Sequence, residues 1–441
     1  MVTRIGATGS DTPEELAAQQ RGDHLFATIF FTPEGYADPI PSYRELHATS
    51  PVHLSAFGGA VLSRYEHCRA LLRDGRFGNG DRNANTSAFS ASDPELVAIR
   101  QEIADRTAQG AQSMLGLDPP DHTRQRSLVS RAFTPRTVEK LRPRIAEQVD
   151  SYLDVLDSNG GGDLMNTLAM PLPVSVISDM LGVPAADWPG IREPVTALVA
   201  SLEPGATADE LRASIEAREV LVDYFSDLIE RRTADPADDL LSALIAARDD
   251  QDKLSNAEVL AVSILLFAAG AETTTNLIGN GMNALLDHPD QLERLWNDPS
   301  LVPAMVEEVL RFDSPVQLDG RSCLEPAEFA GLSFEPGDRV ITLLGGANHD
   351  PNVFEDPDRF DITRYSDMTE RTKAAEPVMS FGSGIHYCLG ANLARVEAQE
   401  AFAGLIRRFS SLGAAGDRPY RHRMVLRGLE ICPVEVSGNP R

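Results

Sequence analysis

Hydrophobic positions recur at helical spacing along most of the chain, and two stretches show this pattern most clearly. The spacing predicts long helices from Asp209 to Arg232 and from Ala257 to Leu286. Ser255, with Glu258 three residues later, forms the capping box expected where the second helix starts. That helix is apolar on nearly all sides from Val259 to Ala271, which predicts that this part of it is buried.

Alternating apolar positions are confined to shorter stretches. Residues Val52 to Ala56 and Ala60 to Arg64 flank a Gly-rich turn and predict a β-hairpin. A second β-rich stretch begins near Val316 and includes a strand from Arg339 to Leu344. The segment from Gly78 to Leu117, rich in Gly, Asn, Ser and Ala, is predicted to be a long loop with one short helix. The fold class is therefore mainly α with a minor β region.

Composition narrows the class of protein. The 441 residues contain 66 acidic and 40 basic side chains, a formal charge of −26 that argues against nucleic acid and anionic membranes as partners. The longest apolar run has 13 residues, Val259 to Ala271, too short to span a bilayer. Four cysteines without C-x-x-C spacing form no disulfide framework, which fits a reducing cytoplasm. Together with the short apolar run, this predicts a soluble cytoplasmic protein, which we expect to be a monomer. No linker separates two cores, so one domain is predicted over residues 21–441, after a flexible N-terminal arm over residues 1–20.

The segment from Phe381 to Gly390, Phe-Gly-Ser-Gly-Ile-His-Tyr-Cys-Leu-Gly, carries the strongest chemical signal. Its glycines allow tight turns and close approach to a flat ligand. A helix is predicted directly after Cys388, and a helix N-terminus favours the thiolate form of a cysteine. A dinucleotide fingerprint fails because Tyr387 stands where its third glycine belongs, and a zinc site lacks a second ligand pair. An inert cysteine beside a glycine turn is the remaining alternative.

The pattern Phe-Gly-x-Gly-x-His-x-Cys-x-Gly resembles the cysteine-ligand loop of the cytochrome P450 haem-thiolate monooxygenases. The resemblance extends from about Val52 to Val434, and it implies the triangular prism fold of that family. It also implies haem b (iron protoporphyrin IX) with Cys388 as the axial ligand of the iron, since a thiolate pushes electron density onto iron and favours O–O cleavage. By the same resemblance, the loop residues Phe381, Gly382 and Gly390 bind the cofactor.

The long helix contains an acid and three threonines where burial is predicted, a conflict typical of functional sites. Residues Ala269 to Thr273, Ala-Gly-Ala-Glu-Thr, resemble the oxygen-activation motif of the family. The resemblance implies that Ala269 and Gly270 make room for dioxygen, and that Glu272 and Thr273 deliver protons. A glycine that packs helices, beside a threonine bonded to its own helix, is the structural alternative.

Three further features agree with the family. Glu308 and Arg311, three residues apart on one helical face, resemble with Arg359 its Glu–Arg–Arg structural network, although such a pair alone is usually a solvated ion pair. The motif positions imply four partners for the haem carboxylates, namely His122, Arg126, Arg321 and His386. Residues 347–351, Ala-Asn-His-Asp-Pro, carry His349 where the family usually has arginine, which puts one local contact in doubt.

The implied activity is the insertion of one oxygen atom of dioxygen into a hydrophobic small molecule, by hydroxylation or epoxidation, in secondary metabolism. The predicted substrate pocket includes Phe267, Val316, Gln317 and Leu318, which are largely apolar. Two alternatives are a peroxygenase driven by hydrogen peroxide and a non-catalytic haem sensor or carrier. The intact pair Glu272 and Thr273 argues against the peroxygenase and is unnecessary for the sensor or carrier.

Seven basic residues and one acid lie between His122 and Arg144, an island of positive charge in an acidic chain. A solvated helix face is the ordinary interpretation of such a run. The family receives electrons from NAD(P)H through separate redox proteins. The resemblance therefore predicts that a ferredoxin or flavodoxin, with its reductase, docks near Arg124, Arg131 and Arg136.

Overall fold

A computed structural model describes residues 3–4, 13–56, 59–79, 93–131, 133–246, 248–249, 252–366 and 378–438. The helices are α1 (Pro13–Phe31), α2 (Pro33–Ala37), α3 (Ile40–Thr49), α4 (Tyr65–Leu71), α5 (Pro94–Ala108), α6 (Asp121–Ser130), α7 (Pro135–Glu139), α8 (Arg142–Asn159), α9 (Pro171–Leu181), α10 (Trp188–Ala200), α11 (Ala208–Ala234), α12 (Leu240–Ala246), α13 (Asn256–Asp287), α14 (Pro289–Asn297), α15 (Val302–Phe312), α16 (Leu344–Asn348) and α17 (Ala391–Arg408). The strands are β1 (Thr3–Arg4), β2 (Val52–Ser55), β3 (Gly59–Leu62), β4 (Phe77–Gly78), β5 (Gly161–Asp163), β6 (Arg248–Asp249), β7 (Asp252–Lys253), β8 (Leu318–Cys323), β9 (Ala327–Phe329), β10 (Leu332–Phe334), β11 (Arg339–Leu343), β12 (Ser411–Ala414) and β13 (Pro433–Ser437). The predicted mainly α class with a minor β region is confirmed.

The chain folds into two compact units. Unit 1 comprises residues 1–77, 142–169 and 273–441, and unit 2 comprises residues 78–141 and 170–272. Within the predicted flexible N-terminal arm, residues 1–20, α1 begins at Pro13 and Thr3–Arg4 pair in parallel with β10, and the arm stays a prediction. A single domain over residues 21–441 stays a prediction.

The largest sheet has the strand order β2-β3-β11-β8-β4. The predicted hairpin is confirmed, with Val52 opposite Leu62 and Ser55 opposite Gly59; residues 57–58 of its turn lie outside the described residues. Strand β11 pairs in parallel with β3 and antiparallel with β8. Residues Ala60 to Leu62 are buried, as an apolar central strand requires.

The helical part of unit 1 is built around α17. This helix packs against α8 and α15, and its buried face includes Leu393, Phe402 and Leu405. It begins at Ala391, three residues after Cys388, as predicted. This helix is therefore held by α8 and α15 in the core of unit 1, which anchors the loop that precedes it.

In unit 2, α11 packs on α5 and α10. Thr207 and Glu210 form a capping box at the start of α11, which confirms the predicted helix with a slightly earlier beginning. Ile99 and Leu211 lie in one buried cluster. The predicted loop from Gly78 to Leu117 contains the four-turn helix α5, and its residues 80–92 lie outside the described residues.

Helix α13 runs from unit 2 into unit 1, and Ser255 and Glu258 form its predicted capping box. By length and composition alone, α13 is apolar enough to cross a membrane, with a mean hydropathy of 1.5 over 18 residues. Half of that window is buried inside the protein. In unit 1, Asn280 of the same helix is fully buried and donates to the carbonyls of Asp313 and Arg427, which is typical of a core helix.

Candidate active site

Residues 378–390, here called the cysteine loop, form two short 3₁₀ turns before α17. The first turn spans Met379–Phe381 and the second Gly384–His386. The amide of Cys388 donates to the carbonyl of Phe381 at 3.0 Å, which closes the loop on itself. The five predicted cofactor-binding residues Phe381, Gly382, His386, Cys388 and Gly390 are thereby brought together on one short loop.

Two glycines make this path possible. Gly382 has φ 68° and ψ −160°, a combination that is essentially restricted to glycine. At Gly384, φ is 71°, and a Cβ atom would lie 2.1 Å from the carbonyl oxygen of Leu72. A side chain at Gly384 would push the loop away from the end of α4. The glycine pattern is therefore a requirement of the loop's conformation and of its close packing.

Cys388 differs from the other cysteines of the described residues. Cys68, Cys323 and Cys432 are buried, and burial raises the pKa of each thiol, to about 12 for Cys432. Cys388 is only partly buried and precedes the first turn of α17. Partial exposure at a helix N-terminus favours a reactive or metal-binding thiolate, whereas the buried thiols are suited to packing.

Aromatic and charged side chains support the loop. The guanidinium of Arg395 lies 4.5 Å from the centre of the Phe381 ring and is paired with Glu307 of α15. Tyr387 also interacts with Arg395, which helps to raise the pKa of that guanidinium against the effect of burial. Arg395 thus stays charged and ties α15 and α17 to the loop.

Glu308 and Arg311 form a fully buried ion pair on α15. Arg311 donates to both carboxylate oxygens of Glu308, at 2.9 and 2.8 Å. Its remaining donors reach the carbonyls of Asn348, Pro357 and Arg359. Because every charged group finds a partner, the pair can stay ionised without contact with water.

The prediction that the side chain of Arg359 completes this network is wrong. Its guanidinium is 61% exposed and faces Asp361 at 3.7 Å. The second arginine on Glu308 is Arg364, whose Nε donates to Oε2 at 3.0 Å. Arg359 contributes only its backbone carbonyl, which accepts from Arg311 and Arg364. The segment turns at Asp356 and again between Asp361 and Arg364, so its path brings the later arginine inward.

The middle of α13 is open on one side. Ala269 is exposed, Gly270, Glu272 and Thr273 are partly buried, and Thr274 and Thr275 are buried. The predicted burial from Val259 to Ala271 therefore fails at Ala269, because the side of the helix bearing the motif is not covered by protein. The predicted catalytic residues Glu272 and Thr273 lie next to each other on α13, and their catalytic roles stay predictions.

The four residues predicted to meet the haem carboxylates fall in both units. In unit 2, His122 is buried and Arg126 is partly buried, four residues apart on one face of α6. In unit 1, Arg321 of β8 is buried, and its Nη1 donates to Asp319 at 2.7 Å. His386 lies in the second turn of the cysteine loop and is partly buried.

The predicted substrate pocket needs one correction. The side-chain oxygen of Gln317 accepts from Tyr43, and its nitrogen donates to the carbonyl of Ser314 at 2.6 Å. Both polar groups of Gln317 are thus used inside unit 1, so we remove it from the pocket. Phe267 is buried in unit 2 against Phe225, with ring centres 5.8 Å apart.

The predicted docking arginines are not equivalent. Arg124 forms an ion pair with Glu258 within unit 2, and that pair also involves Gln125. Burial alone would raise the pKa of Glu258, but the bonds from Arg124, Ser255 and Gln125 hold it at about 2. Arg124 is therefore used to fix the start of α13. Arg131 and Arg136 remain the docking candidates.

Comparison with known proteins decides the family. The model of the family described as Cytochrome P450 matches residues 207–424. Cytochrome P450 107B1 of Saccharopolyspora erythraea is 45% identical over 325 residues, 73% of this chain and 76% of that protein. The vitamin D(3) 25-hydroxylase of Pseudonocardia autotrophica is 40% identical over 410 residues, 91% of this chain and 94% of that protein. This chain belongs to the cytochrome P450 family.

The fold of this P450 agrees with that assignment. The crystal structure of the myxobacterial cytochrome P450 CYP267B1 in complex with myristic acid matches with a TM-score of 0.82 at 36% identity. The match covers 94% of this chain and all of that one. The chain is therefore a haem-thiolate monooxygenase with the P450 fold.

The residues of this P450 fit the haem that its family implies. Cys388 supplies a soft thiolate donor of the kind that haem iron accepts. A Cβ at Gly382 or Gly390 would meet no atom within 4 Å, so the loop presents open backbone there.

Two residues that support the buried ion pair and the cysteine loop were not predicted from the sequence. Arg364 pairs with Glu308, and Asn348 of α16 bonds to the start of the cysteine loop. Neither lies at a periodic position, although an asparagine inside the apolar α16 segment was a usable signal. His349, which replaces the usual arginine, bonds through Nε2 to the carbonyl of Phe312 at 2.9 Å and lies 3.4 Å from Asp358.

Proposed function

We propose that this P450 hydroxylates or epoxidises an apolar small molecule, with Cys388 as the proximal ligand of haem b. The observation that carries the proposal is the cysteine loop, which holds a partly exposed thiol before a helix N-terminus in a conformation that requires glycine at Gly382 and Gly384. Bound there, the haem would supply the activation of dioxygen and the transfer of one oxygen atom to the substrate.

The chain's own residues supply protons and orientation. Glu272 and Thr273 are adjacent, partly buried residues of α13, within four residues of the small residues Ala269 and Gly270. An acid beside an alcohol can pass a proton from water to an oxygen held near the hydroxyl. His122, Arg126, Arg321 and His386 are the candidates for holding the haem carboxylates, since cationic or N–H donors stabilise anions that are shielded from water.

The substrate is proposed to be apolar, from secondary metabolism. The predicted pocket residues that remain after the correction at Gln317, namely Phe267, Val316 and Leu318, all have apolar side chains; Phe267 and Leu318 are buried and Val316 is partly buried. Vitamin D(3), named for one relative, and myristic acid, bound in one solved structure, are both largely hydrocarbon. Both support an apolar substrate without identifying it.

Electrons are proposed to come from NAD(P)H through a separate reductase and a ferredoxin or flavodoxin in the cytoplasm. Arg131 and Arg136 are exposed and would attract such an acidic protein, whereas Arg124 is partly buried and forms an ion pair with Glu258. Reversing the charge of Arg131 and Arg136 together is expected to slow reduction and to weaken its salt dependence. Unchanged reduction kinetics would contradict this docking site.

The deciding experiment is the absorption spectrum of the reduced protein with carbon monoxide. A strongly red-shifted Soret band is expected, as a thiolate ligand gives, and Cys388→Ser should abolish it. A protein purified with haem present in the medium that binds none would overturn the proposal.

Coupling of electron use to product separates monooxygenase from the two alternatives. Thr273→Ala is expected to release hydrogen peroxide in place of product, whereas Thr274→Ala, a buried threonine one residue away, should stay coupled. Full coupling in Thr273→Ala would contradict the proton role. Turnover by hydrogen peroxide alone would favour the peroxygenase, and haem without any turnover would favour the sensor or carrier.

A further inference from the structure

The start of the cysteine loop is held by the buried amide of Asn348 and by a bond from the Ser380 hydroxyl to the Leu310 carbonyl of α15. Asn348, the last residue of α16, is completely buried. Its Oδ1 accepts from the backbone N–H of Met379 at 2.7 Å, and its Nδ2 donates to the hydroxyl of Ser380 at 2.9 Å. At 3.4 Å the same nitrogen also reaches the carbonyl of Leu310 in α15. One side chain thus joins α15, α16 and the loop.

Asn348 is also the connection between the buried ion pair and the loop. Arg311 donates to the backbone carbonyl of Asn348 at 3.1 Å. Within the described parts of the chain, the side chains of Glu308 and Arg311 bond to each other, to Asn348 and to residues 357–364, and not to residues 378–390. The side chains of the ion pair therefore act on the cysteine loop through Asn348 of α16, while the backbone of α15 contacts the loop directly where the Leu310 carbonyl accepts from the Ser380 hydroxyl.

The bonds of the loop carry this restraint to the cysteine. The carbonyl of Met379 accepts from the N–H of Gly382 at 2.8 Å, and the carbonyl of Phe381 accepts from the N–H of Cys388 at 3.0 Å. Met379–Phe381 form a single 3₁₀ turn, so a shift at Met379 moves the carbonyl of Phe381 with it. The position of the Cys388 backbone follows from that of Met379.

An amide is the side chain that satisfies this position. Asn348 must accept from one group and donate to another without carrying charge, because no water reaches it. A carboxylate would lose the donor and bury a charge, and an apolar side chain would leave the Met379 N–H without its acceptor.

We propose that Asn348 is a positioning residue for the Cys388 thiolate. By holding Met379 and Ser380 next to the buried ion pair, Asn348 fixes the position of Cys388. The inference rests on the proposed role of Cys388 as haem ligand. Residues that orient a metal ligand typically change metal affinity or activity by about 10–100-fold when they are replaced.

The test compares Asn348→Ala with Gln291→Ala in the haem-loaded protein. Gln291 of α14 is likewise a buried amide that accepts from a backbone N–H, that of Ile362 at 3.2 Å, and it serves the segment after the ion pair. For each protein, urea unfolding, the share of the thiolate-type Soret band with carbon monoxide, and the rate of haem loss to an excess of apo-globin are measured.

Both variants are expected to lose similar stability, since each leaves one buried N–H without an acceptor. Only Asn348→Ala is expected to show a smaller share of the thiolate-type Soret band and a larger share of a band at shorter wavelength. It is also expected to lose haem about tenfold faster than the wild type. Ser380→Ala keeps the bond from the Met379 N–H to Asn348 but removes the Ser380 hydroxyl, which bonds to both Asn348 and the Leu310 carbonyl, and it should fall between Asn348→Ala and the wild type.

Equal band shares and haem-loss rates in Asn348→Ala and Gln291→Ala would overturn the positioning role. That failure is distinct from failure of the proposed function, in which the wild-type protein itself would show no thiolate-type band. If Asn348→Ala does not fold, Ser380→Ala against Gln291→Ala provides the same comparison.

Discussion

Two ion pairs begin at neighbouring acids of α15 and differ in almost every other respect. Glu308 and Arg311 are completely buried, and their donors and acceptors are used by backbone groups and by Arg364. Glu307 and Arg395 are 10% and 21% exposed, and Arg395 adds contacts with Phe381 of the cysteine loop. The comparison shows how adjacent residues of one helix take different tasks, since successive side chains point about 100° apart around the axis.

The buried pair fixes the chain around α15, and the partly exposed pair supports the loop from its side. Leaving a buried charge without its partner costs far more free energy than leaving an exposed charge without one. We therefore expect substitutions in the buried pair to lower the free energy of unfolding more than substitutions in the partly exposed pair.

The largest effect is expected from Arg311→Met. The substitution leaves the Glu308 carboxylate buried with one arginine fewer and removes a donor from three backbone carbonyls, of which that of Arg359 keeps its bond from Arg364. Removal of one partner of a buried pair typically costs about 3–5 kcal/mol. Urea unfolding should show this loss together with poor haem retention, and a loss below about 1 kcal/mol would show that the pair is not a central restraint.

Arg364→Ala is expected to cost about 1.5–3 kcal/mol, as for the loss of hydrogen bonds to a charged group. Its guanidinium donates to Glu308 and to the carbonyls of Glu355, Asp356 and Arg359. Unfolding of the purified variant in urea measures the change. A stability equal to that of the wild type would remove Arg364 from the network.

Arg395→Met is expected to cost about 1–2 kcal/mol, since it removes a partly exposed ion pair and a cation–π contact. The remaining Glu307 can still reach water. High salt should reduce the difference from the wild type, whereas the loss in Arg311→Met should persist. A loss as large and as salt-resistant as that of Arg311→Met would abolish the contrast between the two pairs.

Acid should weaken a third ion pair, Arg124 and Glu258, whose side chains are 29% and 14% exposed and thus more exposed than those of the other two pairs. The pKa of Glu258 is lowered from 4.5 to about 2, so its contribution to stability is complete above pH 4.5 and lost as the pH falls through about 2. We expect Glu258→Gln to be less stable by about 1 kcal/mol at pH 7 and to lose stability less steeply below pH 4.5. Parallel pH profiles would contradict this assignment.

The smallest effect is expected from Arg359→Ala, within about 0.5 kcal/mol of the wild type. Its guanidinium is mostly in water, and its useful group is the backbone carbonyl, which alanine retains. Set beside Arg364→Ala, this variant tests which arginine belongs to the buried pair. A loss above that of Arg364→Ala would restore the sequence prediction.

The sequence alone determined the features that depend on local chain geometry. The cysteine loop was identified because glycines with positive φ and a helix N-terminus are fixed by neighbours within ten residues. The capping box at Ser255 and the pairing of Glu308 with Arg311 follow from spacings of three residues on a helix. The mainly α fold with its hairpin at Val52 followed from periodicity.

Only the tertiary structure decided which distant or irregular residues meet. Arg359 and Arg364 lie in the same irregular segment, where no period relates spacing to direction, so the turns of the backbone chose between them. The side-chain oxygen of Gln317 accepts a hydrogen bond from Tyr43, 274 positions earlier, and Arg124 donates to Glu258, 134 positions later. The exposure of Ala269 likewise depends on which elements pack against α13. An apolar pattern predicts that a helix is buried but not at which residue the burial ends.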